Sequence, residues 1–252
     1  MKAFILAAGL GTRLRPWTLS HPKALVPVEG VPMLQRVIER LIAEGFNNIT
    51  VNVHHFAEQI EEFLARHDFN AEILVSDERE SLLDTGGALL KAASMICADD
   101  EPVLVHNVDI LSNAPLRALM AEHKRQGAAA TLLTSGRDSG RRLVFDSEGF
   151  LKGWHNLSLD TWRPEGFLAT ESMTQEAFSG IHVISTALVL EMAECGLGEK
   201  FSIIDYYLLK AGEGKDIRHM KAPDLTLLDI GKPDTLAQSA ALLRGRLNSP
   251  AL

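Results

Sequence analysis

Glycines and basic side chains occur together near the N-terminus, directly after the first apolar run of the chain. Gly9 and Gly11 let the backbone approach a ligand closely, so that main-chain N–H groups can donate hydrogen bonds to phosphate oxygens. Arg13, Arg15 and Lys23 add positive charge to the same segment. This combination predicts a phosphate-binding loop at the carboxyl end of the first strand.

The spacing of this loop differs from that of the two best-known phosphate loops. A dinucleotide fingerprint needs a third glycine at the position of Leu14 and a helix that begins at once, whereas Pro16 intervenes. The P-loop needs a lysine directly after the second glycine of Gly-x-x-x-x-Gly, and Lys23 lies outside that spacing. A dinucleotide-dependent oxidoreductase is therefore disfavoured.

The loop reads Gly-Leu-Gly-Thr-Arg-Leu-Arg-Pro-Trp-Thr over 9–18 and Pro-Lys-Ala-Leu-Val-Pro-Val over 22–28. It resembles the signature of the sugar-1-phosphate nucleotidyltransferase family, Gly-x-Gly-x-Arg-x-x-Pro-x-Thr followed by Pro-Lys-x-Leu-x-Pro-Val. The resemblance implies that Arg13 and Lys23 are catalytic and hold the triphosphate and the charge that develops during transfer, with Arg15 in support. The nucleotide-binding residues that it implies in this part of the chain are Leu6, Ala8, Gly9, Gly11, Thr12, Arg13 and Lys23.

A second glycine segment, Asp84-Thr85-Gly86-Gly87-Ala88, lies just before a predicted helix. It resembles the family segment whose backbone reads the base, which implies that Gly86 and Gly87 bind the nucleotide. Glycine lets main-chain groups reach a flat ring edge, and the helix N-terminus carries a partial positive charge. Taken alone, the same stretch would be an N-cap turn.

Two aspartates resemble the metal ligands of the family. Asp109 follows an apolar strand, in the place of the family's Asn-Gly-Asp segment, with Val108 where the family has glycine. Asp229 lies in a closing Asp-x-Gly-x-Pro segment. The resemblance implies that both bind a metal and that Asp109 is also catalytic, and two carboxylates with phosphate oxygens suit Mg²⁺. Each aspartate could instead cap a turn.

The resemblance also implies a sugar site. Asn107 lies at a strand end, and Gly180 lies in a segment that looks like the family's central strand beside the sugar. Lys152 is the candidate for the sugar phosphate. Asn52, His54 and His55 lie at a further strand end; we expect the histidines to be cavity walls or hydrogen-bond partners, because no cysteine or helical His-x-x-x-His spacing supports zinc.

Alternating strand and helix patterns must position these residues, and they predict an α/β fold with a doubly wound, mostly parallel, Rossmann-like sheet. In the first part the predicted strands are 3–8, 49–53, 71–75, 103–105 and 129–134, and the helices run from 32 to a stop at 45 and over 57–65, 87–96 and 116–126. A small β-rich, sugar-binding insertion follows, with strands 142–145, 150–152 and 178–184. The remaining elements are helices 187–195 and 203–210, strands 216–221 and 225–230, and a helix from Pro233 to about Arg244. We predict a single domain over 1–252, with a nucleotide-binding part over about 1–135 and a sugar-binding part over about 136–252.

Composition limits the partners and the compartment. A net charge of -8 and an isoelectric point near 5.6 disfavour nucleic acid and anionic membranes, which most of the surface would repel. Two cysteines, Cys97 and Cys195, cannot form a disulfide framework, so a reducing cytoplasm is expected. The first strand is too short to span a bilayer, and the sequence leaves the oligomeric state open.

Together these features predict an enzyme that joins a nucleoside triphosphate to a sugar 1-phosphate, with metal-assisted in-line displacement at the α-phosphorus. Nucleophile and leaving group are already anionic, so that catalysis needs positioning and charge neutralisation and no general base. A non-catalytic nucleotide-sugar sensor of the same fold remains the alternative. The chain resembles the short members of the family, which include uridylyltransferases for N-acetylmuramic acid 1-phosphate and guanylyltransferases for mannose or heptose 1-phosphates. Neither the base nor the sugar follows from the sequence.

Overall fold

Strands and helices alternate along most of the chain, whose residues 1–231, together with Thr235 and Ser239, are described by the computed structural model. The strands are β1 (Lys2–Leu6), β2 (Pro27–Val28), β3 (Val31–Pro32), β4 (Asn48–Val53), β5 (Glu72–Asp77), β6 (Val103–Asn107), β7 (Ile110–Ser112), β8 (Ala130–Ser135), β9 (Arg141–Phe145), β10 (Leu151–Asn156), β11 (Thr161–Arg163), β12 (Thr174–Ile184), β13 (Ile217–Lys221) and β14 (Leu227–Asp229). The α-helices are α1 (Met33–Ala43), α2 (Ala57–Arg66), α3 (Asp84–Lys91), α4 (Ala93–Ile96), α5 (Leu116–Gln126), α6 (Thr186–Leu190) and α7 (Ile203–Gly212).

The centre of the main sheet is parallel, in the order β6-β1-β4-β5. Alternate residues of β1 pack on opposite faces: Ala3 and Ile5 belong to one core, Phe4 to the other. Burial on both faces explains why this strand is apolar throughout. Because the strands are parallel, β1, β4 and β6 end at the same edge, and the loops that follow them meet there.

The long strand β12 joins the parallel sheet to the insertion. It pairs antiparallel with β6 and β8 at its C-terminal end and with β9 at its N-terminal end. Strands β9, β10 and β11 continue as an antiparallel meander, which is the β-rich insertion expected from the sequence. The pairing of β12 with β8 is irregular between Phe178 and His182, where Gly180 adopts a φ of 77°.

Helices cover both faces of the sheet, as a doubly wound fold requires. One core contains buried residues of α1, α2 and α5, and the other contains residues of α3, α4, α6 and α7. On α1 the buried side chains recur at helical spacing, with Leu34, Val37, Ile38 and Leu41 turned to the sheet. Each contributes about 1.5–3 kcal/mol through burial. The α/β fold expected from the sequence is confirmed, whereas the division at about residue 135 stays a prediction.

Several details differ from the expected elements. The helix predicted over 87–96 is divided into α3 and α4, and α3 begins three residues earlier, at Asp84. Strand β7 was not expected; it pairs antiparallel with β14 in a separate two-stranded sheet. The helix expected from Pro233 to Arg244 lies outside the described residues, apart from Thr235 and Ser239. In the described part of the chain, no helix has the length and apolar character to cross a bilayer.

Candidate functional site

The glycine loop folds as a chain of single turns after β1. Three 3₁₀ turns follow one another, at Thr12–Leu14, Trp17–Leu19 and Lys23–Leu25. Gly11 has a φ of 62°, and a Cβ added there would lie 2.8 Å from the Cβ of Lys23 and 2.9 Å from the Cγ2 of Thr18. Glycine is therefore required at this position, because it lets the lysine stem pack directly against the loop.

A buried polar pair holds the point where the chain leaves β1. The Oδ1 of Asn52 accepts hydrogen bonds from the main-chain N–H of Ala7 at 2.6 Å and of Ala8 at 3.3 Å. Its Nδ2 donates to the carboxylate of Glu78 at 2.8 Å, and the Nδ1 of His54 lies 2.6 Å from the main-chain oxygen of Glu78. Burial raises the pKa of the Glu78 carboxyl, and the hydrogen bond from Asn52 offsets part of that rise. Asn52 thus positions the phosphate loop, and Glu78 positions Asn52.

Lys23 and Asp109 form an ion pair at the edge of the sheet. The Nζ of Lys23 donates to the Oδ2 of Asp109, and both side chains are largely buried, with 12 % and 15 % of their surface exposed. The aspartate lies in the turn between β6 and β7. Each group therefore neutralises the other, and a phosphate would compete for the lysine just as a cation would compete for the carboxylate.

Asp229, at the end of β14, lies beside Asp109. Asp229 pairs with Ile110 in the β7–β14 ladder, and the main-chain N–H of Ile230 donates to the carbonyl of Asp109 at 2.9 Å. A Cβ added at Gly231 would lie 2.7 Å from the Oδ1 of Asp229, 2.8 Å from an Nη of Arg13 and 3.2 Å from the Oδ2 of Asp109. Two carboxylates and a guanidinium therefore surround one small volume, and only a residue without a side chain fits at its wall.

This arrangement fits a magnesium ion better than a transition metal. Among the described residues no group of three or more His, Cys, Asp or Glu side chains could enclose a metal. Two carboxylates at the open edge of the sheet suit the coordination of Mg²⁺. This ion binds through one or two carboxylates and takes its remaining ligands from water and substrate phosphates. Asp109 and Asp229 are the residues that would hold it.

The second glycine segment packs against the segment before α7, and the base-reading role expected for it stays a prediction. The main-chain N–H groups of Gly86 and Gly87 both donate to the carbonyl of Phe201, at 2.9 and 3.3 Å. A Cβ at Gly86 would overlap the ring of Phe201, and one at Gly87 would overlap the carbonyl oxygen of Glu199. The glycines thus let the segment before α7 lie directly on α3, and their main-chain donors are already engaged.

A cavity of about 460 Å³ opens between the ends of β1, β4 and β6. Its lining residues are Leu6, Ala8, Gly9, Lys23, Asn52, Glu78, Leu82, Asp84, Thr85, Asn107, Val108, Asp109 and Lys200. Gly11, Thr12 and Arg13, which were expected at the nucleotide, do not line it, and neither do Gly86 and Gly87. Gly11 packs against the stem of Lys23, which does line the cavity, and the guanidinium of Arg13 lies beside Gly231.

A second cavity, of about 670 Å³, lies between the main sheet and the insertion. Asn107 lines both cavities, so the two are neighbours. Gly180 also lines the second cavity, and a Cβ there would lie 2.8 Å from the Nδ2 of Asn107, which explains the glycine. Asp229 belongs to the same wall. The sequence analysis placed Asn107 and Gly180 at one site, and the structure brings them together.

Arginines dominate the charge of this second cavity, and the sequence analysis missed them. The arginines in its lining are Arg137, Arg141, Arg142 and Arg163. Three of them lie within the six residues 137–142, and this density of arginine was the sequence signal that could have identified them.

Lys152, expected at the sugar phosphate, does not line either cavity. It lies at the irregular start of β10, where the pairing with β9 shifts between Leu151 and Gly153. Its Nζ forms an ion pair with Asp146 at 3.2 Å. The structure therefore does not bring Lys152 to either cavity, and its role at the sugar phosphate stays a prediction.

Comparisons with known proteins agree with the fold and show a family. A model of the nucleotidyl transferase family matches residues 2–142, which include the glycine loop, Asp109 and the arginines of 137–142. A mannose-1-phosphate guanyltransferase of Gibberella zeae is 41 % identical over 137 residues. That alignment covers 54 % of this chain but 37 % of the relative, so the chain spans little more than a third of that protein.

Two further similarities extend over nearly the whole chain. An N-acetylmuramate alpha-1-phosphate uridylyltransferase of Caulobacter vibrioides is 28 % identical over 250 residues, which are 96 % of each protein. A solved structure of a UDP-glucose pyrophosphorylase from Acinetobacter baumanii superimposes with a TM-score of 0.76 at 16 % identity, over 97 % of this chain and 94 % of the other. At that identity the superposition shows a shared fold.

Proposed function

The chain belongs to the sugar-1-phosphate nucleotidyltransferase family, and from this premise we propose that it transfers a nucleotidyl group from a nucleoside triphosphate to a sugar 1-phosphate. The products would be a nucleoside diphosphate sugar and pyrophosphate. The observation that carries the proposal is the position of the Asp109, Asp229 and Lys23 side chains where two cavities meet. The cavity at the glycine loop would hold the triphosphate, and the arginine-lined cavity would hold the sugar phosphate.

The proposed reaction is a single in-line displacement. A phosphate oxygen of the sugar 1-phosphate attacks the α-phosphorus and forms the new P–O bond, while the bond from the α-phosphorus to the bridging oxygen of the β-phosphate breaks. Pyrophosphate leaves with that electron pair. Neither the nucleophile nor the leaving group needs a proton transfer at neutral pH, so the protein contributes orientation and counter-charge.

The side chains where the two cavities meet have separate roles in the proposed displacement. Lys23 and Arg13 neutralise the oxygens around the α-phosphorus and the departing pyrophosphate. Asp109 and Asp229 would hold Mg²⁺, which when bound would supply further positive charge at the phosphates. Asn107, which lines both cavities, aligns the sugar phosphate with the α-phosphorus. Val108, buried where the family has glycine, lines the cavity at the glycine loop between Asn107 and Asp109.

The proposal extends to the identity of the nucleotide base. The names of the relatives point to guanylyl or uridylyl transfer. A cytoplasmic location is also proposed, since the free thiols of Cys97 and Cys195 suit a reducing compartment.

The second candidate is a sensor that binds a nucleotide-sugar without turnover. The observation in its favour is the closed Lys23–Asp109 pair, which a binding protein could keep. The observation against it is the convergence of two carboxylates and Arg13, because a sensor gains nothing from placing anionic groups beside an anionic ligand unless a cation also binds there.

A substrate panel separates the two candidates. Each of ATP, GTP, UTP and CTP is combined with glucose, mannose, N-acetylglucosamine and N-acetylmuramic acid 1-phosphates in the presence of Mg²⁺, and pyrophosphate is measured. An enzyme gives release for at least one pair of substrates and none when either partner is omitted. A sensor gives no release with any pair, while calorimetry detects binding of a nucleotide-sugar.

A further inference from the structure

The arginine-lined cavity carries more positive charge than a single phosphate group requires. Among the described residues, four arginines line it against two carboxylates, Asp205 and Asp229. A sugar 1-phosphate has one phosphate. In the proposed mechanism that phosphate already lies close to the positive charges of Lys23, Arg13 and Mg²⁺.

Two of the four arginines already have partners. Arg163 forms an ion pair with Asp205, and its guanidinium lies 4.8 Å from the ring centre of Trp154. Arg137 donates from Nη2 to the carbonyl of Phe178 at 2.9 Å. Burial lowers the pKa of the Arg137 guanidinium, and Asp229, which lines the same cavity, offsets part of that fall.

Arg141 differs from these two. Within the described part of the chain its side chain forms neither a hydrogen bond nor an ion pair. Its neighbour Arg142 has only a distant contact, 3.8 Å, with the fully exposed carboxylate of Asp138. An unpaired guanidinium at the wall of a cavity is available to an anionic ligand.

The strand register shows which groups accompany Arg141. Asn156 is opposite Arg141 on β10, and Thr161 is opposite Asn156 on β11. Residues opposite each other in an antiparallel pair point to the same face, with Cβ atoms about 4.5–5.5 Å apart. All three line the cavity, so they form a polar row of a guanidinium, an amide and a hydroxyl.

The neighbouring row on the same face has two apolar members and one arginine. Leu143, Trp154 and Arg163 are opposite one another across β9, β10 and β11, and all three line the cavity. The apolar surface of Leu143 and Trp154 suits a sugar ring or a short alkyl arm. Because Glu176 of β12 is opposite Leu143, the row of Arg141, Asn156 and Thr161 lies one step towards Phe178 along the strands. It extends across β9, β10 and β11 of the insertion, whereas Asn107 and Asp229 belong to the edge of the main sheet.

We propose that this row, Arg141 with Asn156 and Thr161, binds a second acidic group on the sugar, so that the substrate is an acidic sugar 1-phosphate. The guanidinium provides two parallel N–H donors for the oxygens of a carboxylate or of a second phosphate, and the amide and hydroxyl complete the contacts. The inference rests on the proposed function, because it names the substrate class of the same site.

Matched pairs of substrates test this subsite. N-acetylmuramic acid 1-phosphate differs from N-acetylglucosamine 1-phosphate by a lactyl ether that carries a carboxylate. Glucose 1,6-bisphosphate differs from glucose 1-phosphate by a second phosphate. We expect the acidic member of at least one pair to have a kcat/KM about 10- to 100-fold above its neutral member, as for a hydrogen bond to a charged group. The pair that shows the preference identifies the acidic group as carboxylate or phosphate.

The variant Arg141→Gln should remove this preference, so that kcat/KM falls about 10- to 100-fold more for the acidic member of a pair than for the neutral member. Arg141→Lys should retain part of the preference, since the charge remains but the planar fork does not. Arg66→Gln, a change at an exposed arginine paired with Glu62 on α2, is the matched control and should keep the wild-type preference.

Equal or better use of both neutral substrates by the wild-type protein would overturn the inference, and so would an equal loss on both members of a pair in Arg141→Gln. Failure of the proposed function looks different, since no combination of substrates would then release pyrophosphate. In that event calorimetry with the same pairs still decides the matter: tighter binding of the acidic member that is lost in Arg141→Gln supports the subsite, and equal binding rejects it.

Discussion

The carboxylates of Asp109 and Asp229 meet at the main chain of Gly231, although they are far apart in the sequence. The β7–β14 ladder brings them together, because Asp229 is opposite Ile110, the residue after Asp109. Two negative charges at such close range repel each other. A cation must compensate them during the proposed reaction, and Lys23 compensates one of them in this structure.

The first prediction concerns the space at Gly231. In Gly231→Ala the new methyl group would lie 2.7 Å from Asp229 and 2.8 Å from Arg13, so both side chains must move. We expect kcat/KM to fall about 100-fold, the effect of a displacement of about 1 Å in a catalytic group. Steady-state pyrophosphate release measures this loss.

Gly212→Ala is the control for that variant. Gly212 ends α7, and a Cβ there would meet no atom within 4 Å. Its activity should equal that of the wild type. If Gly231→Ala also kept full activity, the volume between the two aspartates would have no part in catalysis.

The second prediction concerns Lys23. We expect Lys23→Ala to lower kcat by about 10²- to 10³-fold, the usual cost of removing one preorganised donor from a transition state. The melting temperature should also fall, because the variant leaves the largely buried carboxylate of Asp109 without its partner, so kcat is measured well below that temperature. Lys124→Ala, which removes an exposed lysine that pairs with Glu101 on the surface, should leave both quantities unchanged. A fully active Lys23→Ala protein would remove this lysine from the mechanism.

The third prediction separates packing from base recognition at the second glycine segment. A methyl group at Gly87 overlaps the carbonyl of Glu199, so that α3 and the segment before α7 must separate. We expect Gly87→Ala to destabilise the protein by about 1–3 kcal/mol through overpacking. That loss corresponds to a melting temperature lower by about 3–10 °C for a chain of this size. An unchanged melting temperature with a raised KM for the triphosphate would instead restore the glycine to nucleotide binding.

Sequence reasoning succeeded where a local pattern carries the information. Gly11 and Lys23 belong to one short segment whose spacing resembles a family signature, and the structure shows why the glycine is needed beside the lysine. The apolar run of β1 was recognisable for the same reason. Asp229 was placed by its short closing segment, but its meeting with Asp109 depends on β7, a three-residue strand with no periodicity to detect.

Local patterns do not show the contacts that long-range pairing creates. Gly86 and Gly87 have the composition of a ligand-binding turn, yet Phe201, more than a hundred residues later, takes their N–H groups. Glu78 becomes part of the site only through Asn52, a contact between two strand ends. Arg141 faces the cavity because of the register of β9 with β10, which no single strand reveals.

The fourth prediction concerns stability against pH and the buried His182. Burial lowers the pKa of His182 to about 3, and neither ring nitrogen has a hydrogen-bond partner among the described residues. In the unfolded chain this histidine takes up a proton below about pH 6.5, while in the folded protein it stays neutral until about pH 3. Its stabilising contribution is therefore complete above pH 6.5 and is lost as the pH falls towards 3, at about 1.4 kcal/mol per pH unit.

Urea unfolding at pH 7 and pH 5 measures this effect. His182→Leu removes the titrating group, so the loss of stability between the two pH values should be smaller than in the wild type by about 2 kcal/mol. His106 and His123, whose pKa values burial also lowers to about 4, keep the remaining dependence. His67→Leu, a change at an exposed position, should show the wild-type dependence. An identical dependence in His182→Leu would mean that His182 is protonated in the folded state.

The central claim, nucleotidyl transfer by attack of the sugar phosphate on the α-phosphorus, is tested most directly by following the oxygen atoms. The wild-type protein is given Mg²⁺, its best nucleoside triphosphate and a sugar 1-phosphate whose non-bridging phosphate oxygens are ¹⁸O. Mass spectrometry then measures the amounts and labels of both products. We predict one pyrophosphate for each nucleotide-sugar, with all of the label in the nucleotide-sugar and none in the pyrophosphate. Label in the pyrophosphate, or tight binding of both substrates with no product at all, would contradict this account.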